Sequence, residues 1–482
     1  MVHYFIFFFL CCLAGVAHAH VSEQGLVLLL PTDFYIGSGV LVVVLTLLLV
    51  LLLPASVSMA IFRHWQMFLL RLNSKRSNRS FVAFVNKSSA CLQLITSLLS
   101  LIFLCGLLLL GLFGTSDPLE NPLPLFIWTV WWIGLPILQG VIGNIWHWVN
   151  PWAGIHTIIQ RAGWRAPFTL HDKTGVWPGI ILFLLFTSFA LADISPDAPQ
   201  RLSWIVGCYW CFTLLCVCLY GEQWFKRGEC FSMLLRRFSQ LSVIGIERRS
   251  LASGFPGWRL IVNKSTSVSA AIFILVLLGT GTFDGFNETF TWLALIGVNP
   301  LEFPGRSSVV SETVIGLFLT NGLLIAIYGF CVYAGLRIAN RSSGEINQVS
   351  FKTAFCALAI AVLPIAFAYH FAHFLVTFLI NGQYAVAAVS DPLSNGIDLL
   401  NLGSFYVTTG FMNSPASVRA IWLTQAVAVV VGHVVSVLLA HAVAIELFGN
   451  ARRAIVSQVP LAVFMVLYTF IGLWLLASPK GA

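Results

Sequence analysis

The sequence predicts an all-α integral membrane protein, a bundle of about ten transmembrane helices behind a cleaved signal peptide. Three observations predict it. Hydrophobic residues make up 58% of the 482 positions and charged residues 9%, with a mean hydropathy of +0.90; a soluble domain carries about a quarter charged residues. Apolar runs long enough to cross a bilayer as helices recur along the whole chain. Lys and Arg gather in alternate loops, as membrane topology requires. Backbone polar groups in lipid must pair within their own segment, which makes each run a helix.

The N-terminal element is a leader. Residues 4–16, "YFIFFFLCCLAGV", form an apolar core and are followed by Ala17, His18 and Ala19. Small residues at the first and third of these positions match a leader-peptidase site. The segment ahead of the core has His3 but no Lys or Arg. Cleavage after Ala19 is the expectation, and retention as an additional span is the rival. The chain then divides into a signal peptide, 1–19, and a single bundle, 20–482, with long outer loops at 283–308 and 381–417.

The spans fall at 36–53, 90–113, 124–142, 175–193, 201–221, 265–282, 309–338, 351–380, 418–446 and 460–478. Loop 54–89 holds Arg63, Arg71, Lys75, Arg76, Arg79 and Lys87 and no acid. Loop 143–174 has Arg161, Arg165 and Lys173 against Asp172, and loop 222–264 has eight basic residues against Glu222, Glu229 and Glu247. The intervening loops, "TSDPLENP", "ISPDAP", "TFDGFNET" and "SDPLSNGID", are acidic or nearly uncharged. The basic loops therefore face the cytoplasm, and both termini of the mature chain face the periplasm of a bacterial inner membrane. Within the third basic loop, "ECFSMLLRRFSQLSVIG" has apolar residues at helical spacing and reads as a helix along the inner membrane surface. Glu222 and Glu229 stand near Lys226 and Arg227 and read as local ion pairing.

Charge and cysteine content exclude several classes. The net charge of +8 lies between the apolar runs, so it serves topology and not nucleic acid. "CYWC" (Cys208, Cys211) and "CVC" (Cys216, Cys218) sit within one apolar segment, where thiols act as small hydrophobes. The chain has no Walker loop, dinucleotide fingerprint, "HExxH" or "GxSxG", which disfavours ATP-driven transport and serine-hydrolase chemistry. No protein partner is implied; the partners are the lipid bilayer and a small apolar substrate or metal ion.

Ionisable residues inside spans are costly and mark function by default. The eighth span carries His370 and His373, three residues apart and so on one helix face. The ninth carries His433 and His441. At 1.5 Å per residue His373 lies about 10 Å and His370 about 15 Å below the outer surface, with His433 at about 21 Å and His441 near the inner side. His370, His373 and His433 are therefore expected to converge in the outer half. Membrane histidines also serve as interhelical hydrogen-bond donors, worth about 1 kcal/mol or less each. Imidazole ligation suits zinc, copper, iron or nickel, and three such ligands plus water make a familiar zinc arrangement. His20, if made N-terminal by cleavage, offers its α-amine and ring nitrogen to Cu(II) as a chelate.

Several segments, "HVSEQGLVLLLPTDFYI", "NIWHWVNPW", "YGEQWFKRGECFSMLL", "TFDGFNET", "AYHFAHFLVTFLINGQ", "VSDPLSNGIDLL" and "VGHVVSVLLAHAVAIELFGN", occur in that order. Together they resemble bacterial polytopic membrane proteins of the fenitrothion (organophosphate) hydrolase type. The resemblance implies hydrolysis of a phosphotriester-like ester and supplies no catalytic residues. Such chemistry needs an activated water and a polarised phosphoryl oxygen, which a metal ion provides. His370, His373 and His433 are the expected metal ligands, with Asp284 or Asp391 as outer ligand or proton acceptor. The carboxylate-bridged two-metal motif of soluble phosphotriesterases is absent from the sequence. Two alternatives stay open: a transporter or copper-handling protein with a histidine-lined site, and a haem protein in which His370 or His373 pairs with His433.

Overall fold

Ten helices among the described residues are long and apolar enough to cross a membrane. The computed structural model describes residues 30–52, 54–63, 65–66, 79–247, 250–262, 267–303, 305–341, 348–403 and 405–479. The leader and His20 lie outside the described residues. The all-helical multi-span class read from the sequence is the class observed.

The spanning helices are α1 (Thr32–Leu52), α2 (Arg79–Phe113), α3 (Pro122–Val141), α4 (Trp177–Ala192), α5 (Pro199–Tyr220), α7 (Val268–Asn287), α8 (Val310–Arg341), α9 (Phe351–Ser390), α10 (Pro415–Phe448) and α11 (Ala451–Ala477). A short helix, α6 (Cys230–Ser239), lies between α5 and α7. Helices α7, α9 and α10 form the buried centre, and α1 and α2 lie at the periphery. Small residues set the closest approach of α9 and α10. A Cβ on Gly432 would overlap that of Ala368, the kind of contact by which helices pack without water to drive them together.

Several boundaries differ from the sequence reading, and caps explain two of them. Helix α11 begins at Ala451, because the Asn450 side chain accepts hydrogen bonds from the backbone N–H of Arg452 and Arg453. Pro460 sits inside it without ending it. Ser267 caps α7 by accepting from Ala270 N–H, and that helix runs through Asn287, so Asp284 belongs to a span and not to a loop. Helix α9 likewise continues to Ser390. The loops expected at 283–308 and 381–417 are therefore shorter, and the first contains a further helical turn, Phe290–Leu295.

Helix α6 forms where the sequence has apolar residues at helical spacing. Its apolar residues are covered by protein, with Cys230, Phe231, Met233, Leu234, Leu235 and Phe238 buried. Glu229 anchors it rather than pairing with Lys226 or Arg227. Its carboxylate accepts from Phe231 N–H (2.9 Å), Ser232 N–H (2.6 Å) and the Tyr209 hydroxyl (2.6 Å). This is an N-cap reinforced from a neighbouring helix. Trp146 Nε1 donates to Ser232 Oγ at 2.8 Å. A three-stranded antiparallel sheet, β1 (Trp65–Gln66), β2 (Ile244–Glu247) and β3 (Ser250–Ser253) in the order β1-β3-β2, joins two of the basic loops on the same side.

Candidate functional site

A cavity of about 690 Å³ opens on the side of the bundle that carries the acidic loops. That volume is in the range of small-molecule sites. Ile194, Pro196, Phe303 and Arg306 ring its mouth, and Leu234 and Phe238 of α6 form its floor. The middle of α3, Leu125–Gly134, is a π-helix, a rare geometry frequent at functional sites. It contributes Trp128 and Trp132 to the wall. Trp128 Nε1 donates to Pro196 O at 3.2 Å, holding the mouth loop to the wall.

The polar chemistry is concentrated where α7 meets α9. His373 Nε2 lies 3.2 Å from Asp284 Oδ2, with side-chain exposures of 7% and 16%. Glu288, one turn beyond Asp284, completes a group with His373 in which one donor atom of each residue lies within 4.8 Å of the others. Two carboxylates and an imidazole gathered this closely make a donor set that a single cation can share.

The backbone of α7 makes this meeting possible. A Cβ on Gly285 would overlap the Tyr369 hydroxyl and would lie 3.6 Å from His373 Nδ1. Tyr369 in turn stacks on His373, their rings 10° from parallel and 5.8 Å apart. Absence of a side chain at 285 thus lets two rings of α9 press onto α7, and the tyrosine holds the imidazole beside the acids.

His370 lies deeper, in an aromatic box. Trp132, Phe238 and Phe374 surround its ring with centroids at 5.6, 6.1 and 4.9 Å. Its Nε2 is buried and without a hydrogen-bond partner among the described residues. His370 and His373 line the same cavity, as their spacing of three predicts.

The expected third histidine does not join them. His433 is buried, donates from Nδ1 to Val429 O of its own helix at 2.8 Å, and is not among the cavity residues. A Cβ on its neighbour Gly432 would meet Ala368 and Pro364, and axial rise says nothing of rotation. Helix α10 turns Gly432, not His433, onto α9. His433 therefore does not share the cavity that His370 and His373 line. Asp391 is also elsewhere: its carboxylate accepts from Asn395 N–H (3.0 Å) and Gly396 N–H (2.7 Å), closing a turn after α9. The structure brings together Asp284, His370 and His373 and leaves out His433 and Asp391.

Glu288 was not singled out from the sequence. The available signal was the spacing Asp284-x-x-x-Glu288, which shares a helix face, but Gly285 and Asn287 between them read as a loop. No family model, curated protein or solved structure matches the chain.

Proposed function

We propose that the chain is a multi-pass hydrolase of a bacterial inner membrane, with its leader removed, both mature termini in the periplasm and its cavity open to that side. The substrate class is a small apolar ester of the phosphotriester type. One observation carries this reading: a paired imidazole and carboxylate, with a second carboxylate beside them, on the wall of an aromatic cavity of substrate size. The sequence resemblance to organophosphate hydrolases supports the same chemistry.

The residues divide the work by position. Three acceptor or donor atoms within 4.8 Å of one another have a common point within hydrogen-bond reach, about 2.6–3.2 Å, where a water is held. His373 Nε2–H donates to Asp284, which fixes the ring. Glu288 accepts a proton from the water as its oxygen bonds to phosphorus. The bond from phosphorus to the aryloxy group breaks, and the proton passes to that leaving group. The aromatic walls of Trp128, Trp132 and Phe374 exclude bulk water and face an aryl ester with apolar surface. Lipid-soluble substrates reach a membrane cavity by partitioning into the bilayer first.

The test uses the purified chain in lipid nanodiscs with a chromogenic aryl dialkyl phosphate. Turnover by the wild type is expected, and Asp284→Asn and Glu288→Gln each lower it about 100-fold or more. Absence of turnover by folded wild type would remove the hydrolase reading.

A second reading draws on the floor. A cavity open at one face and closed at the other by Leu234 and Phe238 is also the form of a carrier in one state of its cycle. Uptake of a small cation into proteoliposomes, with no ester cleavage, would favour it.

A further inference from the structure

We propose that Asp284, Glu288 and His373 bind one divalent first-row transition-metal ion at the cavity wall. His373 is an expected ligand and Asp284 a possible outer one, whereas Glu288 replaces the other two histidines of the expected set. The donors come from two different helices and still gather within 4.8 Å. A triangle of that size has its centre about 2.8 Å from each corner, and small side-chain rotations bring the donors to the 2.0–2.2 Å of a metal bond.

His373 faces Asp284 at 3.2 Å, and Glu288 adds a second carboxylate to the same group. Two carboxylates with a neutral imidazole balance a doubly charged ion. A second observation points the same way: His370 lines the same cavity, and its buried Nε2 has no hydrogen-bond partner among the described residues, so the cavity offers a further imidazole donor.

Donor type selects the ion. The imidazole favours zinc or iron over calcium and magnesium, the two carboxylates admit manganese, and the absence of sulfur from the group disfavours Cu(I). Three protein ligands leave a position open for water or substrate. As a catalytic centre this rests on the hydrolase reading, with a bound ion taking the place of Glu288 as the group that would activate the water, whereas binding is measured without substrate.

The experiment strips the purified full chain with chelator and titrates it with Mn²⁺, reading free ion by electron paramagnetic resonance. One Mn²⁺ per chain, displaced by Zn²⁺, is expected. Asp284→Asn and Glu288→Gln should each weaken binding about tenfold or more, while Glu302→Gln, outside the cavity, leaves it unchanged. Gel filtration checks that each variant is folded, and a Zn²⁺-dependent rise in melting temperature should appear in wild type and vanish in Glu288→Gln. No saturable binding by folded wild type, or equal binding by both carboxamide variants, overturns the proposal. Binding without ester turnover upholds the metal centre and removes the hydrolase. Turnover by stripped protein that binds no Mn²⁺ does the reverse.

Discussion

His373 and Asp284 meet across the seam between α7 and α9, with Nε2 3.2 Å from Oδ2. The contact joins the last turn of one central helix to the middle of another, so it serves both packing and chemistry. Asp284→Asn keeps the shape and an acceptor oxygen but loses the charge, and it is expected to fold while ester turnover falls about 100-fold. His373→Ala removes the partner of a carboxylate that is only 16% exposed. It should cost about 1–3 kcal/mol of stability as well as activity. Steady-state kinetics and thermal melts in detergent separate the two effects. Equal kinetics for wild type and Asp284→Asn would take Asp284 out of the reaction.

Gly285 tests whether Tyr369 positions the imidazole. Gly285→Ala places a methyl group on the Tyr369 hydroxyl, so the ring must move and His373, stacked on it, must follow. Turnover and melting temperature should both fall. Removing the hydroxyl leaves Tyr369 Cζ as the nearest atom of that ring, at 3.2 Å from the new Cβ, a tight but tolerable contact. The double variant Gly285→Ala/Tyr369→Phe should therefore recover part of the loss, a coupling that separate sites do not show. A double variant no better than Gly285→Ala alone would dissociate the tyrosine from the site.

The ten spans were legible in the sequence because lipid imposes length and apolarity on each crossing, and described helices stand at all ten positions. The site was legible only in part. His370 and His373 share a helix, so their spacing alone places them on one face. His433 sits on another helix, and its relation to them depends on how α10 is rotated. A helix apolar on every side carries no stripe to fix that rotation. Glu288 was hidden for a different reason: Gly285 and Asn287 disguise the last turn of α7 as a loop. The glycine that breaks the helical pattern is the one that lets Tyr369 approach.

Phe238 gives the floor of the cavity a measurable weight. It is 3% exposed and meets Phe367 edge-on at 5.3 Å and His370 at 6.1 Å. Phe238→Ala should destabilise the protein by about 3 kcal/mol, and Phe238→Leu, which keeps most of the volume, by about 1 kcal/mol. Thermal melts of the two variants give the comparison. Equal melting temperatures for wild type and Phe238→Ala would mean that α6 is not packed into the bundle as described.

The segment after α9 carries a pH-sensitive clasp. Asp398 accepts from Ser390 Oγ (2.7 Å), Leu402 N–H (2.8 Å) and Gly403 N–H (2.7 Å), and Asp391 closes the preceding turn in the same manner. Each turn holds a non-glycine residue in the left-handed region, Ser394 at φ 51° and Asn401 at φ 52°, so the carboxylates stabilise a backbone that would otherwise relax. The Ser390 hydroxyl first, and then the backbone N–H groups, hold the Asp398 carboxyl below its ordinary value. A lowered value in the folded state means that the clasp contributes fully above the ordinary carboxylate pKa of about 3.9 and is lost as pH falls through the lower folded value. Hydrogen exchange at Leu402 and Gly403, corrected for intrinsic rate, should be slow and constant from neutral pH down to about pH 4 and accelerate below it. Asp398→Asn should show the fast rate at every pH. Protection that survives in that variant, or that is lost already near pH 6, would mean that something other than the Asp398 carboxylate closes the turn.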